Sequence, residues 1–233
     1  MRLSLVLAFA VLFQAEKSDE PAARAKEYPW MSVASWKEQH ERMLKRAKEG
    51  NVNLLFVGDS ITAGWGDNAV WQKAYGSMNA ANFGIGGDTT QNVLWRITNG
   101  ELEGISPKVV VLLIGTNNFG LNGDSPDGVV KGVTAVVQTL RKKIPKTKVL
   151  LLAIFPRDEK PKTDARTKIA KVNEHLSKLD DRKTVRYLDL GPKFLSPDGS
   201  ISKEIMPDFL HLSDKGYQIW ADGMDALLKE MMK

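Results

Sequence analysis

Residues 109–118 read Val-Val-Val-Leu-Leu-Ile-Gly-Thr-Asn-Asn, a run rich in β-branched residues closed by a polar stop. A strand with one wet face alternates apolar and polar residues, whereas an unbroken apolar run suits a strand covered on both faces. Upstream of it, Asn53-Leu-Leu-Phe-Val57 ends at Gly58 as a second strand, and Met78 to Phe83 forms a third. Downstream, Lys148 to Phe155 runs into Pro156, and Val185 to Leu190 completes the set. Helical patterns separate them: Ser32 to Glu49 with Gly50 as stop, Asp88 or Thr89 to about Thr98, Asp127 to Lys143, Thr163 to Leu179, and a last helix capped by Ser213. Strand and helix thus alternate five times, which predicts an α/β fold with a five-stranded parallel sheet and helices on both faces. Such open sheets bind ligands beyond the carboxyl ends of their strands, where the strand order reverses.

Composition sets wide bounds. The chain has 233 residues, 42% hydrophobic and 26% charged, enough for one domain with a full core. The net charge of +5 comes from 33 basic and 28 acidic residues without a basic tract, which describes a lysine-rich solvated exterior rather than a nucleic-acid surface. With no cysteine there is neither a disulfide framework nor a cysteine-linked lipid anchor. The N-terminus differs from the rest: Met1-Arg2 precedes an apolar run from Leu3 to Phe13 that only Ser4 interrupts. That run is about half the roughly 20 residues that span a bilayer. Residues 1–15 read as a signal peptide cut after Ala15, although Phe13 fits poorly three places before the cut. On this reading 16–31 is a polar linker, 32–233 is the folded domain, no membrane span remains after cleavage, and the protein is secreted or periplasmic.

Hydrolytic chemistry on a serine needs a base to take its proton, a group to orient that base, and fixed donors for the developing oxyanion. Histidine is the scarcest of these, with only His40, His175 and His211. His40 and His175 lie in polar helical stretches and read as solvated. His211 lies in the loop ahead of the last helix, three residues after Asp208, close enough in a turn for the carboxylate to hold one ring nitrogen. Ser60 follows Val57-Gly58-Asp59 at a strand end, where it suits a nucleophile or a helix N-cap; Thr62 excludes the nucleophile elbow. Gly84-Ile-Gly-Gly87 lacks the lysine and spacing of phosphate loops, and its glycines can instead turn the Gly87 N–H toward an oxyanion. Gly115-Thr-Asn-Asn118 offers amide donors, in residues that also favour turns. Asp59, Trp65, Trp95 and Arg96 lie near these loops but read as loop, core and ion-pair residues, outside the catalytic set.

These blocks resemble those of the GDSL/SGNH hydrolase superfamily. Gly58-Asp59-Ser60-Ile61 is similar to its first block with Ile for Leu, Asn82 to Asp88 to its glycine block, Gly115 to Asn118 to its asparagine block, and Asp208 to His211 to its last. They occur in order over about residues 51 to 220. The stretch Asn82 to Thr90, with Val93 to Arg96 and Asn99 to Leu102, resembles the platelet-activating-factor acetylhydrolase catalytic-subunit branch. The resemblance implies a flavodoxin-like three-layer α/β/α fold and ester hydrolysis without metal or cofactor. It implies Ser60 as nucleophile, His211 as base and Asp208 as its orienter. The oxyanion hole then falls to the Ser60 N–H, the Gly87 N–H and the Asn117 side chain. The substrate would be a small-molecule, carbohydrate or lipid ester with a short acyl group. Ile61 to Trp65 resembles secreted bacterial esterases that deacetylate carbohydrates, while the acetylhydrolase branch suggests a phospholipid. A non-catalytic carbohydrate- or lipid-binding module would lack a triad member, and none is missing here. A nucleotide site at Gly84 to Gly87 is the other alternative. Related subunits pair, but no residue here argues a homodimer.

Overall fold

The computed structural model describes residues 17–66 and 68–233; the expected signal peptide lies outside the described residues. Five parallel strands stand in the order β2-β1-β3-β4-β5: β1 Leu54–Gly58, β2 Ala80–Gly84, β3 Val109–Leu113, β4 Lys148–Leu152 and β5 Val185–Leu188. Among the described residues seven α-helices connect and cover them: α1 Val33–Lys48, α2 Ser60–Ala63, α3 Ala69–Tyr75, α4 Thr90–Thr98, α5 Pro126–Lys143, α6 Asp164–Leu176 and α7 Asp214–Met232. The strand order reverses between β1 and β3, and the loops after β1, β2 and β3 therefore share one rim.

The apolar strands feed two cores. Leu55, Val57, Val110, Leu112, Val149 and Leu151 face one side, packed with α1, α4, α5 and α6. Their sequence neighbours Leu54, Phe56, Val109, Val111, Leu150 and Leu152 face the other. Alternation with period 2 is therefore present, but between two dry faces, which is why the sequence shows none. On the second face Phe56, Trp65, Trp71, Tyr75, Tyr217 and Trp220 pack edge and tilt against one another at centroid distances of 4.5–6.2 Å. Trp65 is fully buried there.

Helix starts follow side-chain chemistry. Ser32, Ser125, Thr163 and Ser213 each accept from a first-turn N–H, and Thr89 with Asn92 forms a reciprocal capping box; such caps contribute about 1 kcal/mol each. Several strand and helix ends shift by two or three residues from expectation, and one helix is new. The fourth strand ends at Leu152, because the Asn173 side chain takes both the Ile154 N–H and C=O at 2.9 Å and replaces a neighbouring strand. Residues 69–75, not anticipated as helical, form α3, whose Trp71 and Tyr75 enter the aromatic cluster.

The segment 16–31, expected as a linker, is corrected from Lys17 onward: it is a strap lying on the domain. Ser18 and Arg24 are buried. The Ser18 C=O accepts from Thr90 Oγ1 at 2.7 Å, the Ala22 N–H donates to the Gln91 C=O at 3.1 Å, and Asn92 Nδ2 donates to the Ala22 C=O at 3.0 Å. These contacts use the strap's backbone atoms, which its composition does not record. No described helix is long and apolar enough to cross a membrane.

Candidate active site

β1 ends at Gly58, and α2 begins two residues later. A side chain at Gly58 would place its Cβ 2.2 Å from Thr62 Oγ1 and 2.3 Å from the Leu113 C=O, so only glycine lets β1 pass beneath both neighbours. Asp59, not Ser60, is the N-cap: its Oδ1 accepts from the Ile61 N–H at 3.0 Å. Ser60 is the first helical residue, so its own N–H is one of the donors that a helix start leaves over. The Tyr217 hydroxyl donates to the Ile61 C=O at 2.8 Å and ties α7 to this turn.

His211 arrives from the other end of the chain. Its Nε2 is 2.9 Å from Ser60 Oγ, and its Nδ1 is 2.6 Å from Asp208 Oδ2. Asp208 Oδ1 accepts from the backbone N–H groups of His211 at 2.7 Å and Leu210 at 3.1 Å, which locks the turn. Phe209 completes it at φ +60°. Partial burial pushes the Asp208 carboxyl up, but the His211 side chain and these backbone donors outweigh it and hold it below its ordinary value. The carboxylate thus remains charged beside the ring.

Two loops complete the rim. Gly87 sits at φ +74°, and a Cβ there would meet the Trp30 ring 2.2 Å away. Neither the Gly87 N–H nor the Ser60 N–H has a backbone acceptor among the described residues. The two asparagines of the third loop separate cleanly. Asn118 accepts from the Thr90 N–H, while its Nδ2 lies 2.8–3.0 Å from Asp124, Thr90 Oγ1 and Gln91. Its amide is consumed. Asn117 Nδ2 donates one hydrogen to the Asp88 C=O at 3.0 Å, which leaves a second free.

Beneath the rim lies an ion network. Arg96 donates to Asp88 Oδ2 at 2.7 Å, to both Glu101 oxygens at 2.5 and 2.6 Å, and to the Phe83 C=O at 3.0 Å. Burial alone would pull the guanidinium down, but Glu101 and Asp88 outweigh it and raise it. Asp88 also accepts from Trp36 Nε1 at 2.7 Å and from Arg24. His40 joins through Nδ1, 2.9 Å from Glu101 Oε1. His40 is therefore buried, against the expectation of a solvated residue; its spacing from Trp36, Met43 and Ala47 on α1 is the helical stripe that marks it. His175 is exposed on α6. Trp95 packs on His40 at 5.0 Å, and Arg96 is the expected internal ion pair. Arg24 is the site neighbour the sequence did not announce, since Pro21-Ala-Ala-Arg24-Ala-Lys carries no periodicity or motif. Among the described residues no cluster of three His, Cys, Asp or Glu side chains is placed to hold a metal.

The GDSL-like Lipase/Acylhydrolase family matches residues 56–219. Platelet-activating factor acetylhydrolase IB subunit alpha2 of Homo sapiens is 39% identical over 199 residues, 85% of each chain. Subunit alpha1 of Bos taurus is 37% identical over 198 residues, 84% of each chain. The fold is shared with a solved GDSL-like lipase of Bacteroides thetaiotaomicron, 20% identical, with a TM-score of 0.68 over 84% of this chain and 98% of that one. With the family matched over most of its length on an α/β sheet of the expected order, this chain belongs to the GDSL-like lipase/acylhydrolase family and is an ester hydrolase.

Proposed function

We propose that the enzyme hydrolyses short-acyl, chiefly acetyl, esters through an acyl-enzyme on Ser60. The observation that carries this reading is the continuous relay from Ser60 Oγ to His211 Nε2 at 2.9 Å and from His211 Nδ1 to Asp208 at 2.6 Å. Ser60 Oγ attacks the ester carbonyl as His211 Nε2 takes its proton. Asp208 holds the ring in the tautomer with a free Nε2 and stabilises the imidazolium. The carbonyl oxygen, now an anion, takes hydrogen bonds from the Ser60 and Gly87 N–H groups and from the free hydrogen on Asn117 Nδ2. The C–O bond to the alcohol breaks, and His211 returns its proton to that alcohol. Water repeats the attack on the acyl-serine with His211 as base, releasing the acid.

The acetyl preference is supported by the relatives, whose names are those of acetylhydrolases. Mass spectrometry of the acyl group trapped on Ser60 after a brief exposure to substrate tests both parts. An acetyl adduct on the Ser60 peptide is expected. Faster turnover of p-nitrophenyl octanoate than of the acetate ester would overturn the short-acyl reading. Export is part of the same proposal: the Leu3–Phe13 run supports it, and cleavage after Ala15 leaves the strap from Lys17 whole. Sequencing the N-terminus of protein recovered outside the cell checks this, and an intact Met1 on all of the protein would sink it.

A further inference from the structure

The strap carries one buried cation. Arg24 is 4% exposed, and its Nη2 donates to the Gly86 C=O at 2.7 Å and to Asp88 Oδ1 at 3.1 Å. Its Nη1 lies 3.1 Å from Met31 Sδ, and the guanidinium sits 5.5, 5.9 and 5.8 Å from the ring centroids of Tyr28, Trp30 and Trp36. The Gly86 C=O and the Gly87 N–H are two ends of one planar unit. Every described peptide bond is trans, so the N–H points away from the carbonyl that Arg24 grips. We propose that Arg24 is a positioning residue of the oxyanion hole, fixing the Gly86–Gly87 peptide and strengthening its N–H as a donor.

The physics has two parts. A charge-assisted hydrogen bond to a carbonyl is stronger than a neutral one, and it polarises the amide so that its N–H donates better. Glycine at 84, 86 and 87 leaves this loop free to rotate, and an oxyanion donor is useful only if it is already aimed. Arg24 clamps the peptide on one side, and the Trp30 ring closes over Gly87 from above. Arg24 is also a poor device for stability alone: its buried Nε has no partner. The strap lies outside the matched family segment, residues 56–219.

The proposal rests on the assignment of the Gly87 N–H to the oxyanion hole, and the experiment separates the two. Arg24→Met, Arg24→Lys, Asn117→Ala and the Arg24→Met/Asn117→Ala double variant are assayed on p-nitrophenyl acetate, normalised to folded protein by urea unfolding. Arg24→Met is expected to lower kcat about ten- to hundred-fold with little change in KM, less than the loss of a direct donor. Arg24→Lys, keeping the charge, is expected to recover part of it. The double variant is expected to lose less than the product of the single losses, since both act on one oxyanion; independent sites would multiply. A merely structural arginine would shift the urea midpoint and leave kcat per folded molecule unchanged. That result, with Asn117→Ala clearly slowed, overturns the Arg24 proposal alone, whereas unimpaired turnover in Asn117→Ala and in the double variant alike overturns the oxyanion-hole reading beneath it. Should Arg24→Met not fold, Arg24→Gln takes its place under the same criteria.

Discussion

His40 and His211 each turn Nδ1 toward a carboxylate, at 2.9 Å from Glu101 and 2.6 Å from Asp208, and there the likeness ends. The side chains of the first pair are 6% and 0% exposed, those of the second 44% and 57%. His40 lies under Trp95 and shares Glu101 with Arg96, so its pair belongs to a closed ion network. His211 keeps Nε2 for Ser60 and stands at the open rim of the sheet. A histidine–carboxylate contact therefore says little by itself. What the second ring nitrogen faces, and whether substrate can reach it, separates a catalytic pair from a structural one.

The sharpest way to break this comparison is to remove each imidazole in turn. His211→Ala or Ser60→Ala should lower kcat on p-nitrophenyl acetate by at least about 10³-fold while leaving the urea midpoint nearly unchanged. Near-normal turnover in either variant would dissolve the contrast. Arg96→Met attacks the other side. It leaves Asp88 and Glu101 buried without their main partner and should cost about 3–5 kcal/mol in urea unfolding; a loss under 1 kcal/mol would show that the network is not what holds the rim. His40→Phe should be milder, about 1–3 kcal/mol of stability, with kcat per folded molecule unchanged. A specific fall in kcat there would make the buried pair part of the chemistry.

The least disruptive probe is pH. Asp59 is fully buried beside Ser60, and burial pushes its carboxyl up to about 7 from 3.8, against the Ile61 N–H that pulls it down. Between these values the folded protein keeps a proton that the unfolded chain has released. Stability therefore falls as pH rises from about 4 to 7, by up to about 1.4 kcal/mol per pH unit. Asp208 works in the opposite sense: held below its ordinary value, it contributes stability at neutral pH that is lost as pH falls through that lowered value. Asp59→Asn should flatten the pH 4–7 slope of the urea midpoint, and an unchanged slope would place the Asp59 proton elsewhere.

The sequence by itself determined the order of elements and the chemistry on offer. Uninterrupted runs such as 109–114 demand two dry faces, and serine, glycine, asparagine and histidine blocks each follow a strand or precede a helix. Periodicity, caps and turn residues act over a few positions, so they can be read locally. Tertiary structure decided which of similar residues is free to react. Asn117 and Asn118 are neighbours in sequence, yet only one keeps a spare hydrogen. His40 reads as a polar helix residue until Glu101, 61 positions away, folds over it, and Ser60 meets His211 across 151 positions. Arg24 and Trp30 read as linker until the strap lies on the glycine loop. Burial and hydrogen-bond satisfaction are sums over distant contacts, and no local pattern records which polar atom that sum leaves unpaired.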